Sequence, residues 1–166
     1  MTRDAAPPPA PGTASVTRAL PVPADVAFAA LTDARRHGAW VPMTRVATDG
    51  PPRLGTRVRA VSGPGARRGL PGLEDRMVIT RYLPPGAEPG DEPGVAEFTK
   101  RGPWLLGSAT VEVLATSATT CRVTWSEHVP LAGPLPPALT ARLTAPLLGL
   151  MLRVVLRRAA ADLADG

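Results

Sequence analysis

A change of hydrophobic period near residue 130 constrains this chain more than any other feature. Upstream of it, apolar residues alternate with polar ones. Val58 and Ala60 are set against Arg57 and Arg59, Val111 and Val113 against Thr110 and Glu112, and Val123 and Trp125 against Arg122 and Thr124. A period of two is the mark of a half-buried strand. Downstream, Leu139, Leu143, Leu147, Leu150, Met151, Val154 and Val155 recur at helical spacing, with Arg142, Arg153 and Arg157 largely off that stripe. One long amphipathic helix is expected there, with Pro146 kinking or breaking it. Strands followed by a closing helix make an α+β domain.

The rest of the chain fits around that frame. Residues 1–12 hold four of the 21 prolines and read as a disordered tail, so the domain is expected over 13–166. A short strand at 14–20 is ended by Pro21 and Pro23. Pro23 and Asp25 then open a helix through Leu31, and Asp33 caps a second one that Pro42 stops. Strands are expected at 44–48, 55–62, 75–83, 95–101, 106–115 and 119–129, for a total of about seven. In the fourth of these seven, Met77 and Ile79 face one way and Val78, Thr80 and Tyr82 the other, and which faces of this strand and of the one at 95–101 line the interior is left open.

Composition removes several function classes. The single cysteine, Cys121, excludes an internal disulfide and CxxC-type metal or redox sites, and reads as a small core residue. No apolar run of spanning length is free of charges or breakers, so stable membrane insertion is not expected. The N-terminus lacks the apolar core of a secretory signal, which leaves the cytoplasm as the default location. The formal net charge of +5 and a sequence pI near 10.9 invite a nucleic-acid reading. Yet every base except Lys100 is arginine, the chain has no Asn or Gln, and its six aromatics are scattered singly. That bias is what a GC-rich genome writes, and no stacking platform accompanies it, so no nucleic-acid partner is expected.

The order of elements carries a resemblance. "LPVPADVAFAALTDARRHGAW" (residues 20–40) looks like a strand–helix–helix opening, "GTRVRA" (55–60) like a third-strand start, "MVITRYLPPG" (77–86) like a strand with a double-proline turn, and "TTCRVTWSEHV" (119–129) like a last strand. In that order they resemble the START/Bet v1-like (SRPBCC) superfamily, closest to its bacterial polyketide cyclase/dehydrase and lipid-transport-like branch. The resemblance implies a helix-grip fold: a curved antiparallel sheet wrapped around the long C-terminal helix. It also implies a hydrophobic cavity between them, for binding or transport of a hydrophobic small molecule or lipid. The alternative it offers is an aromatase/cyclase-type enzyme acting on a polyketide in the same cavity.

On that frame Met77, Ile79, Val111, Val123, Leu147, Met151 and Val155 are expected to line the cavity, with Trp40 and Trp104 near its entrance. Trp125 and Glu127 share a strand face with Val123, so Glu127 ends an inward row, where it orients a ligand or serves as acid or base; the bland alternative is a strand end escaping to solvent. Tyr82 is the second, weaker catalytic candidate. His37 and His128 read as surface residues, because no HxH or HExxH spacing exists. No metal and no cofactor are expected, and the oligomeric state is left open.

Overall fold

The computed structural model describes residues 10–165. Residues 1–9 of the expected tail lie outside them, while the turn at 10–12, closed by Thr13 N donating to Ala10 O, leads into the first strand. Among the described residues, seven strands form one antiparallel sheet: β1 (Thr13–Leu20), β2 (Thr44–Thr48), β3 (Arg57–Ser62), β4 (Leu73–Leu83), β5 (Gly94–Pro103), β6 (Ser108–Ser117) and β7 (Thr120–His128). Their spatial order is β1-β7-β6-β5-β4-β3-β2, so each strand from β2 to β7 pairs with its sequence neighbour and β1 closes on β7. Two short helices, α1 (Ala24–Thr32) and α2 (Ala34–Trp40), follow β1, and α3 (Pro137–Ala164) ends the fold.

The inward rows follow the alternation. Cys121, Val123, Trp125 and Glu127 of β7 are all buried, as are Ala109, Val111, Val113 and Ala115 of β6. Burying one face of each strand sets the register, since a slip of one residue would turn that face to water. Outward positions carry threonines and serines that pair across strands, Ser15 with Ser126 at 2.9 Å and Thr17 with Thr124 at 3.0 Å.

Two expectations need correction. The ladder between β4 and β5 shifts register between Ile79 and Arg81. This bulge adds a residue, reverses the phase and turns Tyr82 onto the same face as Met77 and Ile79. Its ring packs 5.2 Å from Phe28 of α1. The second correction concerns α3, which runs unbroken through Pro146 but buries a different stripe. Ala141, Leu152, Val155, Leu156, Ala159 and Ala160 face the core, whereas Leu139, Leu143, Leu147 and Leu150 are 46–71% exposed. Leu147 therefore points to solvent and lines no interior cavity. Small residues suit the buried stripe because they let the helix lie close to β1 and β7.

By length and composition α3 is apolar enough to cross a bilayer; here one face of it, through Leu152, Val155 and Leu156, is buried in the core.

Candidate functional site

Three charged side chains meet inside the grip. Lys100 of β5 is buried, with its side chain 4% exposed, and its ammonium donates to the Asp75 carboxylate of β4. The same ammonium stands 3.9 Å from Oε2 of Glu127 on β7 and 3.7 Å from the Met77 sulfur. Glu127 reaches this group because its neighbours across both ladders are alanines, Ala14 on β1 and Ala109 on β6. A larger side chain at position 109 would fill the gap that Lys100 crosses.

Burial raises the Glu127 pKa above its ordinary 4.5, with Lys100 opposing and Asp75 adding to the rise. For Lys100, burial works against the charge, but Glu127 and Asp75 outweigh it and hold the ammonium above its ordinary 10.5. The arrangement is a protonated lysine flanked by two carboxylates, one of which is easily protonated.

A polar atom of this group lacks a partner among the described residues. Asp75 Oδ1, beside Lys100, is buried without a hydrogen bond, as is the Trp40 indole N–H elsewhere in the core, while the Trp125 indole N–H is directed to the Glu127 carboxylate. Orphaned acceptors are rare in packed interiors, and the one on Asp75 stands where a water or a ligand group would answer it. His37 packs with the two tryptophans: its ring lies 5.2 Å from that of Trp125 and 6.0 Å from that of Trp40, with Nε2 2.7 Å from the Leu31 carbonyl. Burial lowers its pKa below 6.5, so at neutral pH Nε2 carries the single proton and donates it to that carbonyl. His37 is partly buried, held by that bond and by the two tryptophan rings, and is not the free surface residue expected from spacing. His128 is partly buried, with Nδ1 3.5 Å from Thr13 Oγ1. Among the described residues no group of three or more His, Cys, Asp or Glu side chains is gathered as for a metal.

The expected lining residues divide into two sets. Trp40, Ile79, Val111, Val123 and Val155 have 0–2% of their surface accessible, so protein atoms fill the space beside them. Met77 and Met151 are only partly buried; Met77 borders the polar group through its sulfur, Glu127 is part of it, and Trp125 precedes Glu127 on the same strand face. Trp104 is 61% exposed and does not sit at an interior entrance. Its loop is held outward, with its carbonyl accepting from Ala132 N at 2.8 Å. Tyr82 lies on the row Trp125–Val111–Ala96–Tyr82, three strand spacings or roughly 14 Å across the sheet from β7. It and Glu127 therefore form no common acid–base pair. Cys121 is buried, and burial pushes its thiol up to about 11, far from a reactive thiolate.

A cleft of about 520 Å³ opens beside β2, β3 and β4 and touches the interior at Val58 and Met77. Arg57, Arg59, Arg76 and Arg101 surround it. Glu74 bridges Arg59 and Arg76 at 2.7 and 2.6 Å, and these two hold its carboxyl down at about 2. A second cleft, of about 750 Å³, lies between α1 and the end of α3, lined by Val26, Ala30, Asp33, Arg36, Asp162 and Leu163.

Lys100, Asp75 and His37 escape a reading of the sequence. Lys100 carries a signal, since it is the only lysine beside 18 arginines and shares strand parity with Ala96 and Phe98. Asp75 shares parity with Met77. No spacing points to His37.

No protein-family model matches the chain, and no curated protein matches it in sequence. Solved structures do match in shape. The protein TTHA0849 from Thermus thermophilus superimposes with a TM-score of 0.64 at 13% identity, covering 92% of this chain and 97% of that one. A START superfamily protein from Mycobacterium smegmatis gives 0.62 at 13%, covering 91% and 98%. A norcoclaurine synthase point mutant from Thalictrum, in complex with a transition-state analogue, gives 0.61 at 14%, covering 91% and 92%. Identities this low speak to fold alone, and on that evidence the chain has the helix-grip fold of the START/Bet v1-like (SRPBCC) superfamily.

Proposed function

We propose that this protein binds a hydrophobic small molecule inside the grip, with the ligand's polar end held by Lys100, Asp75 and Glu127. The observation that carries this reading is the buried ammonium–carboxylate group with partners left over. A lysine ammonium has three protons to give, and here one goes to Asp75 and one meets only a thioether. Asp75 Oδ1 adds an acceptor, while the Trp125 indole N–H is directed to Glu127. A hydroxyl or carbonyl on an otherwise apolar ligand satisfies these groups. Met77 separates the cleft beside β3 from Lys100 and is the natural gate, because an unbranched thioether repacks at little cost. Helix-grip neighbours, one of them solved with a transition-state analogue bound, support ligand binding as the general role.

Native mass spectrometry of gently purified protein tests the proposal. A stoichiometric apolar adduct, released on denaturation and lost in Met77→Trp, is the expected result. A clean apo mass after incubation with lipid and polyketide extracts overturns it.

The raised Glu127 pKa beside Lys100 favours a second reading, an aromatase/cyclase-type enzyme in the same site. Glu127 would move protons while the ammonium steadies a developing oxyanion. Glu127→Gln would then abolish turnover while sparing binding; unchanged turnover removes Glu127 from that role.

A further inference from the structure

The outer face of α3 presents Leu139, Leu143, Leu147 and Leu150 to solvent, at 46, 67, 71 and 57% exposure. Steps of three and four residues align them on one side of the helix. The loop carrying Trp104 and the segment carrying Leu135 lie against the start of α3. Ala132 N donates to Trp104 O at 2.8 Å, and Leu131 N donates to Thr140 Oγ1 at 3.0 Å. Trp104 is 61% and Leu135 53% exposed, so the segments that border the start of the helix also present an aromatic and an aliphatic side chain to solvent. Scattered apolar residues need no explanation on a protein surface, but a contiguous patch marks a contact.

Charge selects the occupant. Arg142, Arg153 and Arg157 are exposed around the stripe, and residues 137–161 contain no acidic side chain. A second copy of this chain set face to face would bring arginines onto arginines with no carboxylate to answer them. An anionic bilayer surface offers both an apolar layer and negative headgroups, and tryptophan favours the boundary between them. The inner face of α3 is committed to the core through Leu152, Val155 and Leu156, so the helix lies on the surface and does not cross it.

We propose that the outer face of α3, with the Trp104 loop, docks this protein peripherally on anionic lipid membranes. The interaction is independent of whether the interior takes a ligand. It is tested by flotation of the full chain with vesicles of phosphatidylcholine, with or without phosphatidylglycerol, at low and high salt. Binding is expected only with phosphatidylglycerol, and weakens as salt rises. Trp104 emission shifts to the blue, since Trp40 and Trp125 are already buried. Leu143→Glu/Leu147→Glu and Arg142→Glu/Arg153→Glu each reduce binding about tenfold or more. All four positions are exposed, and unchanged thermal melts of both variants verify that folding is intact. Failure to float with anionic vesicles overturns the proposal, as does binding that neither double variant changes. A dimer in sedimentation that the leucine variant dissociates, without vesicle binding, overturns it in favour of self-association.

Discussion

The Lys100 ammonium crosses β6 to stand 3.9 Å from the Glu127 carboxylate, over the small side chain of Ala109. Among the described residues it is the one cation answering these two buried or half-buried carboxylates, Asp75 and Glu127. Removing it leaves them facing each other without compensation. Lys100→Met is therefore expected to cost about 3 kcal/mol at neutral pH. Acidification restores part of the loss as the carboxylates take up protons. Urea unfolding of the variant at neutral pH and near pH 4 checks both statements; a loss that does not shrink in acid would show that packing, and not charge, is the cause.

Glu127→Gln acts in the opposite direction. The folded-state pKa of Glu127 is raised above 4.5, so its contribution to stability is fully present below pH 4.5 and is lost as pH rises through the folded value. At neutral pH the ionised form is held at a cost, which the neutral amide avoids, while Lys100 keeps Asp75 as its partner. The variant should melt about 2–4 °C above the parent at neutral pH and alongside it near pH 4. Thermal melts across that range decide it, and a lower melting temperature at neutral pH would mean the Lys100 pair outweighs burial.

His37 contributes the reverse pH dependence. Its folded pKa lies below 6.5, so the stability it contributes is present above pH 6.5 and is lost as pH falls through the folded value. His37→Phe keeps a ring against Trp125 and Trp40 but leaves the Leu31 carbonyl without its donor. A cost of about 1 kcal/mol at neutral pH is expected, together with loss of the acid sensitivity that begins below pH 6.5. Denaturant unfolding of both proteins at neutral pH and near pH 5 separates the two effects.

Particular residues show what the sequence makes legible. The inward row Val123–Trp125–Glu127 can be read because strand alternation needs nothing beyond the next residue. Tyr82 is misplaced by alternation because the bulge after Ile79 exists only in the pairing of β4 with β5, and no local pattern announces it. On α3 the helical period allows two stripes. The more hydrophobic one, through Leu143 and Leu147, is the solvent face, while the buried one relies on alanines for close approach to β1. Lys100 is easily passed over, because lysine is so seldom buried that strand parity is not applied to it. Its partners come from β4 and β7, a convergence that only the folded sheet creates.

The backbone holding Lys100 yields the last prediction. Lys100 N donates to Gly107 O at 2.9 Å, closing the turn between β5 and β6. Gly107 has φ of +95°, a conformation side chains resist, and a Cβ there would drive into the His128 carbonyl at the end of β7. Gly69 has a similar φ of +88° but open space around it. Gly69→Ala therefore carries the conformational penalty alone, about 1 kcal/mol. Gly107→Ala adds a clash between two backbone segments that cannot both move, and should cost at least about 2 kcal/mol more. Because the displaced segments carry Lys100 and Glu127, Gly107→Ala should also flatten the pH dependence that Glu127 imposes, whereas Gly69→Ala leaves it intact. Unfolding free energies of the pair, measured at neutral pH and near pH 4, test the argument; equal losses in the two variants would mean that Gly107 is required for its φ and not for the close approach of β7.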